Sequence, residues 1–200
     1  MNKYNQNLDK NPANYVPLTP ISFLERAKDI YPNYEALIYE DKKLTWSQIF
    51  RRCSKFASAL EKIGIGEGDT VSVMAFNTTE IFESHYSIPM VGAILNTINT
   101  RLDSKTVSYI LNHSEAKVLI VDRQLHSVLN KALETVEKKP IIIDIQDDYA
   151  DQSLLKKIGD KEYEEFLDSG DDNFIWKRPK DEWQAISLSY TSGTTGNPKG

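Results

Sequence analysis

An α/β fold, built on a doubly wound and mostly parallel sheet with flanking helices, is predicted by three observations. Apolar runs centred near Val73, Leu95, Leu119 and Ile142 recur with gaps about as long as a crossover helix requires. Runs such as 118–121 (V-L-I-V) and 141–143 (I-I-I) do not alternate with polar residues, which is the pattern of strands covered on both faces. The stretches between them carry helix-opening residues followed by apolar positions three and four apart.

Taken in chain order, residues 1–13 read as an N-terminal tail and residues 14–200 as one folded unit. Thr19 before Pro20 has the form of a helix N-cap with proline at the first helical position. Ile21, Leu24, Ala27 and Tyr31 follow at helical spacing until Pro32. Residues 36–39, the polar corner 40–43 and the chain from Leu44 suggest a short extended pair. Thr45-x-x-Gln48 has capping-box spacing, Ile49, Cys53, Phe56, Leu60 and Ile63 share one helical face, and Gly64 is placed to end that helix in a left-handed conformation. Further helices are expected from Asn77-x-x-Glu80, from Asp103 ahead of Val107, Ile110 and Leu111, and over 128–136. Residues 146–172 break the cadence and read as a solvated loop carrying a short helix, after which 185–190 resumes as a strand.

Composition narrows the function classes. Two hundred residues at 22.8 kDa can bury roughly two thirds of the unfolded chain's surface, so neither disulfides nor a metal are required for stability. The formal charge of −5 is local, because residues 144–172 hold 11 of the 29 acidic residues and only 3 of the 24 basic ones. With no basic stripe, nucleic acid is disfavoured as a partner. The lone Cys53 cannot form an internal disulfide, and the first ten residues lack the apolar stretch of a secretory signal, so a cytoplasmic address is expected. The longest run without Asp, Glu, Lys or Arg, 84–100, contains Pro89, Gly92 and two asparagines and is too short and too polar for a membrane span.

The chemistry concentrates at 191–200, T-S-G-T-T-G-N-P-K-G, directly after a predicted strand. Gly193 and Gly196 permit positive φ and close approach of main-chain N–H groups to an anion. Thr191, Ser192, Thr194 and Thr195 offer hydroxyls, Asn197 an amide, Pro198 a stiff turn, and Lys199 a mobile positive charge. Such a set suits a polyphosphate. By composition alone a Ser/Thr/Gly cluster is also a common turn or linker. A Walker A loop is excluded, since that pattern needs a hydroxyl after its lysine and Gly200 follows Lys199.

The segment Y-T-S-G-T-T-G-N-P-K-G at 190–200 resembles the phosphate-binding signature of the AMP-forming acyl-CoA synthetase family, whose superfamily includes luciferases and peptide-synthetase adenylation domains. N-Y-V-P-L-T-P-I-S-F-L-E-R-A at 14–27 and P-M-V-G-A-I-L-N-T-I-N-T-R-L at 89–102 resemble the branch that activates fatty and other small carboxylic acids. The resemblance implies that 14–200 is the incomplete N-terminal part of a large AMP-binding domain, truncated after the phosphate loop. It implies a ligase in which a carboxylate attacks the α-phosphate of ATP and coenzyme A then displaces AMP. It further implies that 191–199 hold the ATP phosphates, that Lys199 is catalytic, and that Mg²⁺ shares the neutralisation. The adenine, ribose, magnesium and most acyl contacts would come from the remainder of the chain, so residues 1–200 are expected to be inactive alone. The alternatives are a non-catalytic nucleotide- or phosphate-binding module, and another adenylate-forming enzyme.

Other reactive residues have plain readings. His85, His113 and His126 form no metal-ligand spacing with one another or with Cys53, so structural or surface roles are expected and no residue is assigned as a metal ligand. Cys53, on an apolar stripe, reads as a buried inert thiol. Pro89 and Gly92 read as a helix end, Arg101 as exposed, and the acidic segment, lacking a calcium-loop pattern, as solvated surface.

Overall fold

The computed structural model describes residues 2–191 and 197–200. Thr19 caps helix α1 (Pro20–Ile30), its hydroxyl accepting from the Ile21 N–H, and Ile21 and Leu24 are buried. Strands β1 (Glu35–Tyr39) and β2 (Lys42–Thr45) pair as an antiparallel hairpin. Helix α2 (Trp46–Lys62) opens on a complete capping box, the Thr45 hydroxyl accepting from the Gln48 N–H while the Gln48 side chain accepts from the Thr45 N–H. It ends where expected, at Gly64 with φ +85°.

The core is a six-stranded sheet, all of its pairs parallel, in the order β7-β6-β5-β3-β4-β8. Its strands are β3 (Thr70–Met74), β4 (Ile94–Thr97), β5 (Val118–Asp122), β6 (Ile141–Ile145), β7 (Lys161–Glu162) and β8 (Ser187–Ser189). The helices between them are α3 (Thr79–Met90), α4 (Ser104–His113), α5 (His126–Leu133) and α6 (Tyr163–Asp168). Alternate residues of β5 settle the two-sided burial. Val118 and Ile120 join the core under α1, α2, α3 and α6, while Leu119 and Val121 join the one under α4 and α5. Among the described residues no helix is long and apolar enough to cross a membrane.

Three expectations are corrected. Asn77 does not open α3: a tight turn, with the Thr78 N–H donating to Phe76 O at 2.8 Å, places the cap at Thr78, one residue later. The helix expected over 128–136 begins at His126, because Asp122 first caps a 3-10 turn over Arg123–Leu125, and it ends before Val136. Residues 146–172 are not simply a solvated loop. They contribute β7 to the sheet, and α6 turns Tyr163, Phe166 and Leu167 into the core. Tyr163 stacks on Phe56 with centroids 4.5 Å apart, and Phe166 meets the same ring edge-on at 5.2 Å. The acidic residues here largely bind the chain itself. Buried Asp144 accepts from the Ile158 and Gly159 N–H groups and from Arg123, and Glu162 caps α6.

A charged network ties α6 to α2 and α3. Arg52 donates to Glu83, which is fully buried, at 2.5 and 3.2 Å, and to Glu164 at 2.5 and 2.8 Å, while the Tyr163 hydroxyl donates to Glu83 at 3.0 Å. Burial raises the Glu83 pKa against the pull of Arg52 and Tyr163. At the more exposed Glu164 burial also acts against the charge, but Arg52 outweighs it and the pKa is lowered. Arg52→Met should therefore strand a buried carboxyl and cost about 3–5 kcal/mol near neutral pH. With Arg52 gone, the Glu83 pKa in the folded protein rises further above its ordinary value of 4.5. A carboxyl raised in the fold favours folding in acid, and that contribution fades as pH climbs through the folded value. The deficit of the variant against wild type should thus shrink as pH falls from the raised folded value of Glu83 toward 4.5 and be smallest below it; urea unfolding that shows the same deficit at every pH would refute this account of the network.

Candidate functional site

The carboxyl ends of parallel strands are where open α/β sheets place ligand sites, because the loops leaving them lie outside the buried layers. β8 runs parallel to β4, with Ser189 opposite Thr97, and the expected phosphate loop begins two residues beyond Ser189 on that edge. Of the residues singled out, Thr191, Asn197, Pro198 and Lys199 are described, and Ser192, Gly193, Thr194, Thr195 and Gly196 lie outside the described residues.

Thr191 and Lys199 close the base of the loop as an antiparallel bridge. The Thr191 N–H donates to Lys199 O at 2.9 Å and the Lys199 N–H returns to Thr191 O at 3.1 Å. That pair uses both main-chain donors, and Pro198 has none. What the described part of the loop offers an anion is chiefly side-chain chemistry, namely the Lys199 ammonium, the Asn197 amide and the Thr191 hydroxyl, all on exposed residues, beside the main-chain N–H of Asn197. A cation and neutral donors with no carboxylate among them suit a polyphosphate or its magnesium complex, with the metal held mainly by the phosphates.

Tyr190 anchors the loop from beneath. Its hydroxyl lies 2.7 Å from Nδ1 of His113, the last residue of α4, and the two rings meet edge-on with centroids 5.7 Å apart. His113 in turn stacks on Tyr109 at 5.4 Å. On the same ring rests Gly200, where a Cβ would fall 2.8 Å from Cε1 and Cζ of Tyr190, so the backbone can approach only because residue 200 has no side chain. Burial, with a smaller effect of Tyr109, raises the Tyr190 pKa and favours the protonated phenol. A structural or surface role is what the sequence predicts for His113, and the exposed ring fits it, but the contact to Tyr190 is not visible in the sequence. The 77-residue separation obeys no motif spacing, and the only hint in the sequence is an aromatic residue immediately before the loop.

The other candidates stay apart from this edge chemistry. His85 and His126 bond carbonyls of their own segments, Ile81 O at 2.7 Å and Arg123 O at 3.2 Å. Cys53 is fully buried, and burial pushes its thiol pKa well up, so it is no nucleophile. Arg101 is exposed, and its N–H donates to the Asn99 side chain. Pro89 sits in the last turn of α3, and Gly92 follows it with φ +85°. Among the described residues no group of three or more His, Cys, Asp or Glu is arranged to hold a metal. Sequence reasoning did not single out a cavity of about 500 Å³ between the β1–β2 hairpin and α3, walled by Leu37, Ile38, Ile81 and Phe82 with Asn77 and His85.

The profile of the family described as AMP-binding enzyme matches residues 24–200. The chain is 44% identical over 203 residues to an acetate–CoA ligase, CCL3, of Humulus lupulus, covering 96% of this chain and 36% of that protein. It is 42% identical to an acetate/butyrate–CoA ligase, AAE7, named as peroxisomal, of Arabidopsis thaliana, with the same coverage. Among solved structures, the anthranilate CoA ligase AuaEII in complex with anthranoyl-AMP superimposes with a TM-score of 0.80 at 24% identity, over 92% of this chain and 34% of that one. A long-chain-fatty-acid-CoA ligase from Archaeoglobus fulgidus gives 0.76, over 92% and 36%. The chain thus spans about a third of the length of these relatives. With a family profile covering most of its residues and relatives above 40% identity along nearly its whole length, this chain belongs to the AMP-binding enzyme family.

Proposed function

We propose that the whole protein is an AMP-forming carboxylate–CoA ligase, with residues 1–13 as a tail, 14–200 as the first part of its AMP-binding domain, and 191–199 as the grip on the ATP phosphates. The observation that carries this reading is the loop itself: Tyr190 to Gly200 leaves the carboxyl edge of a parallel sheet and closes on the Thr191–Lys199 pair, in a chain 44% identical to an acetate–CoA ligase. Its work is electrostatic. Charge builds on the pyrophosphate as the carboxylate attacks the α-phosphate, and preorganised donors lower that barrier because they need no reorientation as charge develops. Lys199 supplies a full positive charge on a flexible stem, while Thr191 and Asn197 add neutral donors. Magnesium, when bound to the nucleotide, would share this neutralisation.

Relatives named for acetate, butyrate, 2-methylpropanoate, trans-cinnamate and benzoate favour a small carboxylic acid, aliphatic or aromatic, as substrate over a long-chain fatty acid, with coenzyme A as the acceptor. The location in the name of the Arabidopsis relative sets a peroxisomal address beside the cytoplasmic one expected from the N-terminal residues.

Two outcomes test the reading. The complete protein, given a small carboxylic acid, ATP and coenzyme A, should release AMP and pyrophosphate with the acyl thioester; chromatography showing ADP instead would reject the adenylate route. Lys199→Ala in the same protein should slow acid-dependent exchange of pyrophosphate into ATP on the order of 10²-fold. Its unfolding free energy should move by no more than about 0.5 kcal/mol, as at other exposed positions. Exchange at the wild-type rate would remove Lys199 from the phosphate site.

A further inference from the structure

We propose that His113 is a positioning residue for the adenylation step, holding Tyr190 as the floor of the phosphate loop and so fixing where the Thr191–Lys199 pair presents the lysine. The inference rests on the phosphate-binding reading of the loop given above.

Three contacts converge on the Tyr190 ring. His113 Nδ1 meets its hydroxyl at 2.7 Å, and the His113 ring packs against its edge. Tyr109, one turn earlier on α4, backs the imidazole and limits its rotation. Gly200 lies so close to the ring that no Cβ would fit. Because Gly200 directly follows Lys199 and Tyr190 directly precedes Thr191, the ring touches both ends of the loop, and the bridge between Thr191 and Lys199 transmits its position. β8 is a three-residue strand paired to β4, and α4 packs in the core layer that includes Tyr190. A strand of three residues makes few ladder hydrogen bonds with β4 to hold its end in place. The Tyr190 clamp supplies a rigid reference from α4. A lysine that must meet a developing charge gains from such a fixed base, since small misplacement weakens electrostatic stabilisation steeply.

The test separates positioning from mere stability by comparing the two half-reactions of the complete protein. Tyr190→Phe removes one oxygen and keeps the ring on Gly200. His113→Leu removes the partner, and His113→Asn places an amide near the position of Nδ1. Pyrophosphate exchange should show the KM for ATP raised about 2- to 10-fold in Tyr190→Phe and His113→Leu, the equivalent of one hydrogen bond. Conversion of supplied acyl-adenylate and coenzyme A into thioester, which involves no triphosphate, should stay within about twofold of wild type. His113→Asn should recover most of the ATP affinity, and the double variant His113→Leu/Tyr190→Phe should be no worse than the poorer single variant, because both remove the same bond.

Parallel loss in both half-reactions, additive effects in the double variant, or an unchanged KM for ATP in Tyr190→Phe would each overturn the proposal. Its failure can be told from failure of the underlying reading. If Lys199→Ala slows exchange on the order of 10²-fold and Tyr190→Phe leaves it untouched, only the clamp is wrong. If exchange keeps its wild-type rate in Lys199→Ala, or wild type shows none with any acid, the loop does not serve ATP and the clamp falls with it.

Discussion

Burial of the parallel sheet on both faces is the constraint from which the rest of this structure follows. Side chains of β5 feed two separate cores in alternation, so the layer beneath α2, α3 and α6 and the layer beneath α4 and α5 depend on the same strand. With both faces of the central strands closed, their few polar side chains are occupied by partners within the chain, and the loops at the carboxyl ends are left to meet a ligand. The 190–200 segment emerges at that edge. Its lysine stays exposed while its base remains tied to the sheet through the residues beside β8.

The same constraint explains an unusual use of charge. A carboxylate as deeply placed as Glu83 is costly unless it is paired, and Arg52 reaches it from the neighbouring helix while also holding Glu164 on α6. One guanidinium thereby fastens three helices. Asp144 does comparable work at the other end of the acidic segment, collecting two backbone N–H groups and Arg123. Much of the negative charge of this region thus serves as structural adhesive.

The elements legible in the sequence were those governed by local rules. Thr19 before Pro20, the Thr45–Gln48 capping box, Gly64 as a helix terminator and Asp103 as a cap all act within a few residues, and each appears where spacing placed it. Misreadings arose where tertiary packing competes with a local signal. Asn77, Thr78 and Thr79 offer three adjacent caps, and a turn at Asn77 decides among them. Around α6 the acidic residues dominate the composition, yet Tyr163, Phe166 and Leu167 decide the burial once Phe56 is there to receive them.

By itself the sequence determined the alternation of strand and helix, the two-sided burial of the central strands and the presence of a loop rich in glycine, hydroxyls and one lysine, because each depends on periodicity or on the intrinsic chemistry of neighbouring residues. Strand order, the Arg52 network and the meeting of His113 with Tyr190 were decided only in three dimensions. These pairings join residues tens of positions apart, and which of many compatible partners come together depends on how the helices pack across the sheet, a choice no local pattern encodes.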